Sequence, residues 1–337
     1  MSGQQKAQFT QPGSPGGDPE VVPVESSELG PEALEGLQLI SDLDRTASSE
    51  YVTDLHFYEA QELLEFFLKD LNDGRWVFRG HGNASWRLQP SAERLGKNHS
   101  GAAVEQYILS AFKRRAHQYL TNLPPKDDDL EWLALAQHYG APTSLLDFTN
   151  SPYVATFFAV AEQREEECAA VWAIEAIALK AGAQHLLRKS DDFFNTVDSF
   201  GSPEVFSRFF PRSKNPSAIV PLRPDRMNEQ LTVQQGLFLY PTSHLWNFEL
   251  TLKLTLESWC DYVHGNWPQR DHLYKLVIEP SARLGILKEL NRMNVTYAAL
   301  FPGLEGFARS LQTDVLIRDL ERPDYGFRIQ PSDDDPI

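Results

Sequence analysis

The chain has 337 residues, 42% of them hydrophobic, which is enough for one large domain or two ordinary ones with a real core. Its net charge of −16 argues against a general nucleic-acid coat or a grip on an anionic membrane, since both need a basic face, although a local basic pocket stays open. The two cysteines, Cys168 and Cys260, are too few and too far apart for a disulfide framework, and the longest apolar run, Tyr153 to Ala161, is about half of a spanning segment. With no signal-peptide pattern at the start, the expectation is a soluble, cytoplasmic protein with no membrane partner.

Residues 1–48 read as a disordered acidic tail. Up to residue 50 there are two basic and nine acidic groups, a balance of −7, leaving 29 basic and 38 acidic groups for the rest. Four prolines fall by Pro23 and no hydrophobic period appears, so the segment cannot bury enough surface to offset its ordering entropy. "DLHFYEAQELLEFFLKDL" predicts a helix capped at Thr53 or Asp54, and "RWVF" a short strand leading into Arg79. "AAVEQYILSAFKRRAHQYL" places Val104, Ile108 and Phe112 on one helical face, and "DDDLEWLALAQHYG" has acids in its first turn and Gly140 as its stop. "APTSLLDFTN" reads as a loop, followed by a buried helix over "SPYVATFFAVAEQ", with Pro152 in its first turn behind Asn150 or Ser151. Strands are expected in "AAVWAIEAI", "SAIVPL", "GLFLYP", "ELTLKLTLE" and "YKLVIEP", and a closing helix in "SARLGILKELNRM". Residues 326–337 read as a short acidic, solvated end. The interleaving without a strict repeat predicts one α+β domain over residues 49–325, with an antiparallel or mixed sheet.

Several chemistries are missing from the pattern. There is no HExxH, no Cys–His ligand spacing, no GxSxG elbow and no Walker loop, so no metal is expected. Gly80-His81-Gly82 is weak as a dinucleotide turn, because the third glycine and the following helix are missing.

What stands out is polar residues set in apolar or glycine-containing blocks: Arg79, then Gln137, His138 and Tyr139, then Asp147 and Thr149, then Gln234 and Gln235. A guanidinium at a strand end, with Gly80 and Gly82 letting a ligand approach the backbone, suits bidentate recognition of phosphate or carboxylate. The alternative is a buried structural ion pair between Arg79 and Asp147. His138 reads equally as a satisfied core histidine, and Tyr139 as a packing aromatic. Gln234 and Gln235 alternate on a strand, so only one faces a given site. Trp86 and Pro90 are candidates for a pocket wall. Residues 205–226 carry Arg208, Arg212, Lys214, Arg223 and Arg226 against Asp225, which is either a phosphate-contacting stretch or a solvated loop.

"FRGHGNASWRLQPSAER", "LAQHYGAPTSLLDFTNSPYVATFFAVA", "QQGLF" and "YAALFPGLEGFA" resemble the successive blocks of the FRG-domain family, named after the Phe-Arg-Gly that stands here at Phe78 to Gly80. The resemblance runs from about Tyr51 to Ala308. Ser144 and Gln230 stand where the family often has arginines, and Phe148 where it has tryptophan. More distantly, the blocks are similar to the ADP-ribosyltransferase-like plan, which implies NAD as substrate, a nucleotide-binding cleft, and a protein or nucleic-acid acceptor. The likeness implies catalytic roles for Arg79, Gln234 and Glu305. It implies ligand contacts at Gly80, His81, Trp86, His138, Tyr139, Asp147, Thr149 and Gln235. A neutral Gln234 cannot stabilise developing positive charge as a carboxylate does, which is why Glu305 is considered beside it. The alternatives are a non-catalytic module that senses a nucleotide or a partner, and a nucleic-acid-processing effector.

Overall fold

The order of the strands explains where the cleft of this protein forms. The computed structural model describes residues 52–95, 101–188, 200–209, 216–224, 229–244, 246–262 and 272–318, all within one compact unit, Glu50–Ile337. Both proposed acidic tails lie outside the described residues, as do Arg212, Lys214, Asp225, Arg226 and the Cys260 side chain.

Seven strands, β1 (Thr53–Phe57), β2 (Trp76–His81), β3 (Leu146–Thr149), β4 (Ala169–Glu175), β5 (Ile219–Leu222), β6 (Gly236–Pro241) and β7 (Leu273–Ile278), form one sheet in the order β1-β7-β4-β2-β3-β6-β5. Only β1 and β7 run parallel; the other neighbours are antiparallel. This is an α+β fold with a mixed sheet, the class expected from the sequence. Around it lie α1 (Ala60–Asp70), α2 (Ser91–Leu95), α3 (Gly101–Arg115), α4 (Asp129–His138), α5 (Pro152–Glu162) and α6 (Ala176–Leu187). The second half adds α7 (Pro203–Phe209), α8 (Glu229–Val233), α9 (Phe248–Tyr262), α10 (Pro280–Arg292), α11 (Tyr297–Leu300) and α12 (Leu304–Ile317).

Period-two alternation divides the strands between two cores. Trp76 and Phe78 join Val171, Ala173, Leu276 and Ile278 against α1, α5 and α10. Val77, Trp172 and Ile174 turn to the opposite core, with Leu179 of α6 and Leu252 and Leu256 of α9. A third cluster gathers Trp132 and Leu133 of α4, Phe206 of α7, and Phe238 and Tyr240 of β6. Local caps fix two helices that matter for the cleft. The Asp128 carboxylate accepts from the Glu131 N–H at 3.0 Å to start α4, and Gly140, at φ 83°, takes the left-handed conformation just beyond its end. The Ser151 hydroxyl accepts from Val154 N–H to start α5, with Pro152 in the first turn.

Four local readings are corrected. Residues 53–57 are a strand rather than the start of a helix, because they pair with β7, more than 200 positions away. "LDFT" is strand β3 rather than a loop. "ELTLKLTLE" lies in helix α9: Phe248, Leu252 and Leu256 recur every four residues on a buried face, and the Thr251 and Thr255 hydroxyls donate back to the carbonyls four residues earlier. Gln234 and Gln235 lie in the turn between α8 and β6 rather than on a strand, with Gln235 at φ 51°. In addition, α10 is followed by α11 and α12, so it does not close the fold.

Candidate functional site

Strand β2 pairs with β4 at six positions and β3 with β6 at four, but β2 and β3 share the single pair Phe78↔Thr149. The sheet therefore splays beyond that pair, and Arg79 is the first residue of β2 past it. Arg79 Nη1 donates to the Asp147 carbonyl at 2.6 Å, taking an acceptor that a regular ladder would have used. Its Nε donates to His81 Nε2 at 3.2 Å. Among the described residues Nη2 has no hydrogen-bond partner. A cleft of about 340 Å³ opens here.

Its walls come from distant segments. Phe78, Arg79 and Gly80 line it from β2, and Asp147, Phe148 and Thr149 from β3. Gln137 and His138 approach from the end of α4, Phe158 and Glu162 from α5, Gln230, Leu231 and Gln234 from α8 and the turn after it, and Phe301 from the end of α11. Phe158 and Phe301 meet edge to face at 5.9 Å between ring centres. Arg309 lies over the Phe301 ring at 5.8 Å, so that wall is packed from behind.

The glycines of the opening motif have a different use from the one expected. A Cβ at Gly80 would fall 1.9 Å from the Ala155 carbonyl oxygen and 2.7 Å from the Ala159 nitrogen, and a Cβ at Gly82 would fall 2.8 Å from the Glu162 Cβ. The close approach is that of helix α5. Gly80 lines the cleft as well, but the absent side chains at both glycines are what lets α5 bring Phe158 and Glu162 to the cleft edge.

Arg79 is not half of a buried ion pair. The Asp147 carboxylate is 60% exposed, its Oδ2 is 3.8 Å from Arg79 Nη1, and its Oδ1 accepts from Gln137 Nε2 at 2.8 Å. Gln137 is itself fixed from the other end by the Thr143 hydroxyl, which donates to its Oε1. Burial pushes the Arg79 pKa below its ordinary value, opposed by Asp147 and then by Glu162, with Arg94 adding to the depression. A guanidinium keeps its proton in any case, so the result is a partly desolvated cation, its side chain still 24% exposed, with incomplete compensation. His81 is buried, and its pKa is lowered to about 3, first by desolvation and then by Arg79. It is neutral and offers Nε2 as an acceptor. Among the described residues its Nδ1 closes no hydrogen bond, although the Trp86 backbone lies near enough to pull the pKa upward.

Of the residues singled out from sequence, Arg79, Gly80, Gln137, His138, Asp147, Thr149 and Gln234 line the cleft. The Thr149 hydroxyl donates to the Gln234 carbonyl at 2.6 Å, and Gln234 Nε2 to the Leu300 carbonyl at 3.1 Å, so both also brace the turn after α8. His81 stands behind Arg79 rather than in the lining. Trp86 is exposed, with its ring 6.2 Å from that of His81, and Tyr139 is exposed and meets the His138 ring edge to face at 5.1 Å. Gln235 points its carbonyl at Asn150, and Glu305, on the surface of α12, pairs with Arg309 at 3.1 Å. Sequence reasoning missed Glu162, Gln137 as an anchor of Asp147, Phe158 and Phe301. Glu162 had a usable signal: it is the charged residue that ends the apolar run from Tyr153 to Ala161.

Residues 74–168 match the family model of the FRG domain. Over that segment the chain is similar to the FRG domain. The matched segment spans β2 to the residue before β4, and so contains Arg79, Gln137, Asp147, Thr149 and Glu162. The α8 turn and Phe301, which complete the cleft opposite the FRG segment, lie beyond it. No curated protein and no solved structure matches the chain. Of the three departures from the family pattern, Gln230 and Phe148 line the cleft, whereas Ser144 is buried with its N–H donating to Glu105. Among the described residues no group of three His, Cys, Asp or Glu side chains is placed to hold a metal ion, and no helix is long and apolar enough to cross a membrane.

Proposed function

We propose that the Arg79 cleft binds a nucleotide-like anion, with NAD as the substrate and ADP-ribosyl transfer as the reaction. The observation that carries this reading is the guanidinium itself: partly buried, held in orientation by His81 and the Asp147 carbonyl, and left with Nη2 unpartnered among the described residues at the floor of a cleft. A phosphate oxygen at Nη2 supplies the missing acceptor and the compensating charge. The volume of about 340 Å³ is at the low end for small-molecule sites, so the cleft accommodates part of a dinucleotide and leaves the remainder at its mouth.

For transfer, the glycosidic carbon–nitrogen bond of NAD breaks, its electron pair leaves with nicotinamide, and positive charge develops on the ribose. A carboxylate facing that carbon stabilises the charge. Glu162 takes this part in place of the earlier candidates, since Glu305 is engaged with Arg309 on the surface and Gln234 is neutral and bonded to Leu300. The acceptor, a group on a protein or nucleic acid, then forms the new bond and gives up its proton. The test is nicotinamide release from NAD by the full chain in the presence of cell extract. Release that falls strongly in Glu162→Gln supports transfer. NAD binding without release supports the sensing module, and neither binding nor release removes the reading.

A further inference from the structure

The charges around the cleft are unevenly placed. Arg79 sits at the floor, 24% exposed, while the two carboxylates that line the cleft, Asp147 and Glu162, are both on exposed residues. Asp147 forms one long, solvent-exposed ion pair with Arg79, and Glu162 forms none among the described residues. Asp147 is 3.8 Å from Arg79 and otherwise accepts from the neutral Gln137, and Glu162 accepts no hydrogen bond among the described residues. Glu162 is nevertheless close enough to act on both Arg79 and Tyr297 through space. The aromatic pair Phe158 and Phe301 lines the same cleft. A ligand with only negative charge gains from Arg79 and loses to the two carboxylates. One that carries a cationic planar ring beside its phosphate gains from both, because the ring meets aromatic faces and carboxylates together.

We infer that Asp147 and Glu162 make the cleft selective for a ligand that pairs a phosphate with a cationic ring, so that it takes the oxidised form of a nicotinamide dinucleotide in preference to the reduced form or to ADP-ribose. The inference rests on the NAD reading above and specifies which form of the ligand the site accepts. Oxidised and reduced dinucleotides have the same phosphates and nearly the same shape, and differ by the positive charge on the ring. A difference in affinity between them therefore reports the carboxylates directly.

The experiment is calorimetric titration of the full chain, and of the Asp147→Asn/Glu162→Gln double variant, with NAD+, NADH and ADP-ribose. Both positions are exposed, and a thermal melt of the variant establishes that it is folded. The wild type should bind NAD+ at least ~10-fold more tightly than NADH, the variant should narrow that ratio toward unity, and its affinity for ADP-ribose should rise as the repulsion is removed. Equal binding of NAD+ and NADH by the wild type overturns the selectivity while leaving the nucleotide reading intact. A preference that survives in the double variant assigns it to other groups and overturns it as well. Binding of none of the three by a chain that melts normally overturns both.

Discussion

Replacing Gly80 by alanine separates the packing role of the Phe-Arg-Gly motif from its chemistry. The added methyl would lie 1.9 Å from the Ala155 carbonyl oxygen and 2.7 Å from the Ala159 nitrogen, both backbone atoms of α5. Ordinary contact needs about 3.4 Å or more, so the helix must move outward by roughly 1.5 Å. It cannot do so freely, because Val154, Ala155, Phe157, Ala159 and Val160 are buried in the core it shares with β2 and β4. Overpacking typically costs about 1–3 kcal/mol, and here the obstacle is a packed backbone instead of a side chain that could swing aside, so about 3 kcal/mol or more is expected. For a domain of this size that lowers Tm by roughly 6–12 °C. Gly285→Ala is the control: its methyl would meet the Ala60 Cβ at 3.4 Å, and alanine is the better helix former by about 1 kcal/mol, so Tm should hold or rise. Melts followed by circular dichroism read both variants. A Gly80→Ala protein melting within about 1 °C of wild type would show that α5 does not seat on β2 as described.

Arg79→Ala should cost about 1–2 kcal/mol in a denaturant titration, from the loss of its donors to His81 and the Asp147 carbonyl. A loss of about 3–5 kcal/mol would restore the buried ion-pair alternative, which the exposure of Asp147 opposes. For His81 the folded pKa of about 3 lies below the ordinary value of 6.5, so the unfolded chain binds the proton first. Its contribution is complete above about pH 6.5 and is lost as pH falls toward 3, about 2 kcal/mol being gone by pH 5. His81→Gln, which keeps an acceptor for Arg79 and does not titrate, should flatten unfolding free energy against pH by about that amount between pH 7 and 5, and an unchanged slope would refute the assignment. Gln235→Gly should be neutral or stabilising within about 1 kcal/mol, since φ 51° suits glycine and Gln235 bonds through its backbone, its N–H donating to the Thr232 carbonyl and its own carbonyl accepting from Asn150; a large loss in chemical denaturation would show that the side chain is needed.

What could be read in advance was whatever is encoded locally. Ser151 and Pro152 announce α5, the acids before Leu130 and the glycine after Tyr139 bound α4, and the Trp76 to Phe78 run is a strand. Residues 53–57 could not be read locally, because what makes them a strand is β7, brought alongside by the rest of the fold. The alternation in Thr251 to Leu256 misled for another reason: the threonines are buried by satisfying their hydroxyls within the helix, so they occupy apolar surroundings as a leucine would. At the cleft, Arg79 and Asp147 were legible as polar residues in apolar runs. That they meet was also a stated alternative, but not that Arg79 bonds the Asp147 carbonyl and leaves the carboxylate exposed, because this depends on β2 and β3 parting after one pair. Phe301 and Gln230 join the cleft only through tertiary packing, and Tyr139, one residue past α4, turns out of it.

The central claim, that Arg79 is the anion-binding group of the cleft, is tested most directly by calorimetric titration of NAD+ into the wild-type chain and into Arg79→Ala, each first shown to be folded by its melt. One saturable site is expected in the wild type, with an affinity lower by about 100-fold in the variant, the loss of a charge-assisted contact worth roughly 2.7 kcal/mol. Equal affinity in the two proteins, or no binding to a folded wild type, would contradict it.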